Sequence, residues 1–151
     1  RRIYVAASWG HLDESPVTVD APIGRDPGHR KRMAVVEGGR RAVTRVRVRE
    51  RWAAAELLDV ALKTGRTHQI RVHLAHLGHS IVGDRLYRCP HAQRHPLPRE
   101  APPCRRQALH ASCLTLLHPA NQDEVSYECP PPPDMARLLE WLRRRRQGGG
   151  P

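Results

Sequence analysis

The stretch KTGRTHQIRVHLAHLGHSIVGDRLY, residues 63–87, decides how this chain is read. The run before it, ELLDVAL at residues 56–62, reads as a strand ended by Thr64-Gly65. Thr67 is then placed to cap a helix from His68 to Leu77. Ile70, Leu74 and Leu77 fall on one apolar stripe of that helix, and Gly78 supplies the left-handed residue that stops it. His68, Arg71 and Ala75 share the adjoining face. A strand end, a tight turn and a helix start thus gather Arg66, His68, Gln69, Arg71 and His73. A helix N-terminus among guanidinium groups attracts an anion, either a phosphate or a carboxylate. Arg71 lies one turn inside, where its planar fork can hold a carboxylate bidentately.

Working outward, residues 2–9 and 17–23 read as strands, followed by a basic loop punctuated by Gly and Pro at residues 24–33. Residues 42–50 alternate, with Ala42, Thr44, Val46 and Val48 on one face and Val43, Arg45, Arg47 and Arg49 on the other. A solvated strand face and an RNA-facing surface both show that pattern. Residues 88–107 read as a surface loop, and strands 108–117 and 124–129 as a hairpin around Asn121-Gln122-Asp123. Asp134 is expected to cap a last helix with Met135, Leu138, Leu139 and Leu142 inward. The alternation and helical stripes together predict one α/β (α+β) domain over residues 1–142, with 143–151 a disordered basic and glycine-rich tail.

Composition narrows the function classes. Of 151 residues 39% are hydrophobic, 4% are aromatic and none is Phe, so the core must be built from Val, Leu, Ile and Ala. No apolar run approaches the roughly 18 residues a membrane span needs. Four cysteines without close pairing, and the absence of a secretory signal at Arg1-Arg2-Ile3, suit a reducing cytoplasm. Lys and Arg outnumber Asp and Glu 26 to 15, a net charge of +11 that favours a polyanionic partner. Only Lys31 and Lys63 are lysines, so nearly every cation is a guanidinium suited to forked phosphate contacts. His68, His73 and His76 fall near helical spacing, but no HExxH, CxxC or carboxylate partner completes a metal site.

TGRTHQIRVHLAHLGH followed by IVGDRLY resembles the signature of the RluA-type pseudouridine synthases. Other segments agree in order: Tyr4-Val5-Ala6 with Trp9-Gly10, APIGRD with RKRMAVV, AVTRVRV, RQALHASCL with His118-Pro119, and the closing helix after PPPPDM. One departure is Ser80, where the family usually shows Pro. A larger one is that the family's nucleophilic aspartate, in a His-Arg-Leu-Asp motif, has no counterpart here. Asp13, Asp20, Asp26, Asp59, Asp84, Asp123 and Asp134 all sit in other contexts. The resemblance implies a pseudouridine synthase catalytic-domain fold, N-terminally incomplete: a mixed, largely antiparallel sheet with flanking helices packed to one side.

It also implies roles. Tyr4 would stack on the target base, Arg71 would hold the catalytic aspartate ionised, and Leu109 would line the base pocket. Arg25, Arg30, Lys31 and Arg32 of the basic loop, with Arg66, His68 and Gln69, are the candidate RNA contacts. Asp84 is expected to serve only a turn. No cofactor or metal is implied, and the partner would be ribosomal or transfer RNA, met by a monomer in the cytoplasm. The rival reading is a non-catalytic RNA-binding module derived from such an enzyme. A basic structural protein of the ribosome is a third, against which stands the clustering of polar groups at one helix start.

Overall fold

The computed structural model describes residues 1–94 and 97–145. Its strands are β1 (Arg2–Trp9), β2 (Val17–Asp20), β3 (Ile23–Arg25), β4 (Met33–Val35), β5 (Val43–Arg51), β6 (Ala55–Leu62), β7 (Leu109–Leu117) and β8 (Glu124–Glu128). The helices are α1 (Gln69–His76), the short α2 (Pro90–Arg94) and α3 (Pro133–Arg145). Six strands form one sheet in the order β2-β5-β6-β1-β7-β8, and β3 and β4 form a separate ribbon. Every pairing of these strands is antiparallel, so the sheet is not mixed within the described residues. The expected strand over 17–23 breaks into β2 and β3 at Ala21-Pro22, because Pro22 lacks the N–H a continuing ladder needs.

β1 runs through the middle of the sheet, where Val5, Ala6 and Ala7 are all buried. Alternation puts Tyr4 and Ala6 on one face and Val5 and Ala7 on the other. Register carries that division sideways: Tyr4 pairs with Val60, which pairs with Val46, while Ala7 pairs with Leu57, which pairs with Glu50. α1 bonds the Tyr4 face through Thr44, two residues from Val46. α3 reaches the opposite face, where Arg143 grips Glu50 at 2.8 and 2.9 Å. The helices therefore flank both faces and do not pack to one side.

Met135, Leu138, Leu139 and Leu142 are buried as their spacing predicts, beside Val5, Leu58, Val60, Leu74, Ile81 and Val82 in one cluster. Each such side chain contributes about 1.5–3 kcal/mol by leaving water. α3 continues to Arg145, three residues beyond the expected boundary at 142, held by Arg143 on Glu50 and by Arg145 on Glu100 and over Trp141. The remainder of the expected tail lies outside the described residues. Asp134 stands inside the first turn and pairs with Arg106, so it does not precede the helix as a cap. On β5 the expected basic face is partly neutralised, since Arg47 and Arg49 both bind Asp59.

Candidate active site

The turn into α1 is held by a side chain, though not by the one expected. Thr67 makes no cap. The helix starts at Gln69, and His68 before it takes a left-handed backbone, φ 56° and ψ 21°. Gln69 is buried, and its Oε1 accepts from the Arg66 N–H and the Thr64 hydroxyl. Its Nε2 donates to the Val43 carbonyl and to Thr44 Oγ1. With its amide so occupied, Gln69 is a bracket between α1 and β5 and not the RNA contact that was expected of it.

The same network continues inward. His73 is wholly buried, and its Nε2 must donate to the Ala21 carbonyl at 3.0 Å, which makes Nδ1 the acceptor for the Thr44 hydroxyl at 2.8 Å. Burial, aided by the nearby His76 charge, holds His73 below the usual histidine range. In the unfolded chain the imidazole takes a proton near its ordinary 6.5, so this site's contribution to stability is complete above that pH. It is lost as the pH falls from 6.5 towards the lower folded value, at about 1.4 kcal/mol per unit. Urea titrations at pH 7.5 and 5.5 should show this loss in the wild type and a smaller one in His73→Gln.

Tyr4, Arg71 and Leu109, far apart in the chain, line one cleft of about 280 Å³ with Leu62, Arg66, His68, Gln69, Ile70 and Gln107. Beside Tyr4 the β1–β7 register slips, with Ile3 opposite Cys113 but Tyr4 opposite Ala111, leaving Ser112 as a one-residue bulge. Such bulges recur next to active sites because they re-aim a neighbouring side chain. Arg66 anchors its Nε on the Arg41 carbonyl and lines the cleft, while His68 is exposed. Arg25, which ends β3, and Arg30 and Lys31 in the loop between β3 and β4 are exposed and do not line the cleft. Arg32 instead folds back over the Tyr87 ring, 5.3 Å from its centroid.

Arg71 is already gripped from behind. Its Nε and Nη2 donate to the two oxygens of Asp84 at 2.7 and 2.9 Å, and Asp84 Oδ1 also accepts from the Leu86 and Tyr87 N–H groups. Asp84 is thus both the turn cap expected of it and an orienting partner that was not expected. Burial alone would raise its carboxyl. The Arg71 pair and the two backbone donors outweigh that, and hold it below the usual carboxylate range. The Asp84 hydrogen bond in turn keeps the Arg71 guanidinium firmly charged, against its own burial. Two of the five guanidinium N–H groups serve Asp84, which leaves donors on a residue that lines the cleft. Asp84 lines a second cavity of about 440 Å³ with Trp9, Arg85 and Arg88, so the ion pair separates the two spaces. The chemistry converges on the smaller one.

A family model described as RNA pseudouridylate synthase matches residues 1–76. The chain belongs to the RNA pseudouridylate synthase family. Ribosomal large subunit pseudouridine synthase D of Nitrosomonas europaea is 47% identical over 146 residues, covering 95% of this chain and 41% of that protein. The protein of the same name from Pseudomonas aeruginosa is 45% identical over 150 residues, covering 97% and 47%. The chain thus spans less than half the length of these curated relatives. Among solved structures, human RNA pseudouridylate synthase domain containing 1 superposes with a TM-score of 0.71 at 27% identity, covering 94% of this chain and 65% of that one. The RluA-type resemblance and the catalytic-domain fold are borne out.

Within this pseudouridylate synthase chain, Ser80 replaces the usual Pro and gains a local tie. Its Oγ donates to Cys89 Sγ and accepts from the Cys89 N–H. Among the described residues no group of three His, Cys, Asp or Glu side chains could hold a metal, and no helix is long and apolar enough to cross a membrane. Tyr87 was missed from the sequence, although it ends the quoted GDRLY segment. It is buried and bonds both His68 and Met33.

Proposed function

We propose that the chain forms the C-terminal part of the catalytic domain of an enzyme that converts uridine to pseudouridine in ribosomal RNA. The observation that carries this reading is the convergence of Tyr4, Arg71 and Leu109 in one cleft. The relatives named above for the large ribosomal subunit support ribosomal RNA over transfer RNA. The reaction breaks the N1–C1′ bond, turns the base and joins C5 to C1′, while C5 loses a proton and N1 gains one. It is redox-neutral and its atoms balance without a cofactor.

In this scheme Tyr4 stacks on the extruded uracil and Leu109 closes the apolar wall, so the detached base is kept in place. Arg71, oriented by Asp84, offers its free N–H groups to the nucleophilic aspartate contributed by sequence upstream of this chain. Asp84 itself cannot serve, because its oxygens already accept four hydrogen bonds. Arg66 and the exposed Arg25, Arg30 and Lys31 hold phosphates, with Arg32 bracing the loop. A cytoplasmic monomer fits this role.

The test is to map pseudouridine in ribosomal RNA from cells lacking the gene. One or more sites should be missing and should return with the wild-type gene. An unchanged map would favour the non-catalytic RNA-binding module. For the loop, Lys31→Ala in the full-length protein should weaken RNA binding and lower the slope of log affinity against log salt by about one. Its single-turnover rate at saturating protein should survive. An unchanged slope would remove the loop from the interface.

A further inference from the structure

We propose that His68 recognises a carbonyl oxygen of the bound uracil by donating a hydrogen bond from Nε2, and that Tyr87 is the positioning residue that fixes it for this. The inference rests on the reading that the cleft takes uridine.

Tyr87 is 1% exposed, and its hydroxyl oxygen accepts the Met33 N–H at 3.0 Å. The buried hydroxyl hydrogen has one acceptor within reach among the described residues, His68 Nδ1 at 2.9 Å, and donates there. Nδ1 is therefore an acceptor, and the imidazole is neutral with its hydrogen on Nε2. That nitrogen lies across the ring from the Tyr87 bond and has no partner among the described residues, on an exposed side chain lining the cleft. The rings meet edge to face, 5.6 Å apart at 77°. Tyr87 is itself clamped by the guanidinium groups of Arg32 and Arg71, 5.3 and 4.8 Å from its centroid.

The backbone supports a site-specific purpose. His68 carries a left-handed φ without being glycine, a conformation that costs energy and concentrates at ligand-binding positions. The charged and titratable groups that act on it or share its cleft are Arg71, Asp84, Tyr87, Arg66 and Tyr4. Burial and the Arg71 charge favour the neutral imidazole, opposed by Asp84. A neutral donor suits a neutral acceptor. The phosphates are served by Arg66 and the loop cations, whereas the base sits against Tyr4, Leu62 and Leu109 and presents two carbonyl oxygens.

Two measurements test this. Nitrogen NMR of the imidazole in the full-length protein at pH 7.5 should find the hydrogen on Nε2 of His68; finding it on Nδ1 would overturn the assignment. In the full-length protein, single-turnover rates are compared on an RNA hairpin whose mapped uridine is replaced by 2-thiouridine or 4-thiouridine. One replacement should slow the wild type by about 10-fold, the loss expected for one weakened hydrogen bond. His68→Ala should abolish that discrimination, His68→Gln should restore part of it, and Tyr87→Phe should diminish it with the salt slope unchanged. Equal discrimination in wild type and His68→Ala would overturn the proposal, and so would a salt slope lowered by His68→Ala, which would mark a phosphate contact. A wild type that converts uridine but shows no His68 dependence defeats this inference alone. One that converts none defeats the parent reading with it.

Discussion

Replacing Arg71 by lysine in the full-length protein should lower single-turnover pseudouridine formation by at least about 100-fold, the loss associated with misplacing a catalytic group by about 1 Å. Lysine keeps the charge but not the planar fork. The native guanidinium uses Nε and one Nη2 hydrogen on Asp84, which aligns its remaining donors with the cleft; a lysine ammonium has no such second edge held in register. RNA affinity should change little, because this half-buried cation faces a carboxylate on one side and would meet the nucleophile on the other. Lys31→Ala should behave in the opposite way. A lysine variant with near-normal single-turnover chemistry, or one that loses mainly RNA affinity, would show that Arg71 is only a phosphate contact.

The largest effect on stability is expected from Asp84→Ala. The substitution strands Arg71 Nε and Nη2 and the Leu86 and Tyr87 N–H groups at once, around a side chain the fold buries completely. Removing one partner of a buried, hydrogen-bonded ion pair costs about 3–5 kcal/mol, a large fraction of the roughly 5–15 kcal/mol that holds a domain together. Asp84→Asn keeps an acceptor for the turn and should lose less. Urea unfolding followed by the fluorescence of Trp9, Trp52 and Trp141 measures both. A loss below about 1 kcal/mol in Asp84→Ala would mean that the pair is not the anchor described. Because the folded Asp84 carboxyl sits below its ordinary 3.8, its contribution is present above that pH and is lost as the pH falls towards the lower folded value.

What could be read in advance was what local periodicity encodes. The strand-like run of residues 2–9 and the alternation in 42–50 marked β1 and β5, the Asn121-Gln122-Asp123 turn marked the β7–β8 hairpin, and the stripe from Met135 to Leu142 marked the buried face of α3. Gly78, with φ 83°, ended α1 where expected. The convergence of Tyr4, Arg71 and Leu109 is a different matter, because no periodicity relates residues on β1, α1 and β7; the family resemblance carried it. The misread features depend on partners distant in sequence. Gln69 looked like a helix-start contact because its acceptors, Val43 and Thr44, lie on a strand two elements earlier. The Arg71–Asp84 pair spans a loop, and Tyr87 acts only by meeting Met33 and His68 at once. The all-antiparallel order and the placement of α3 on the far face from α1 follow from strand register, which single-strand patterns leave open.

The central claim is that this cleft holds a uracil while its C5 carbon exchanges a hydrogen for the ribose. The most direct measurement is tritium release from ribosomal RNA labelled at uridine C5, incubated with the purified full-length protein. Release should match the pseudouridine formed, and the 151-residue chain alone should release none, because the proposed scheme takes its nucleophilic aspartate from outside these residues. Full-length protein that binds this RNA yet releases no tritium would contradict the account, as would release by the isolated chain.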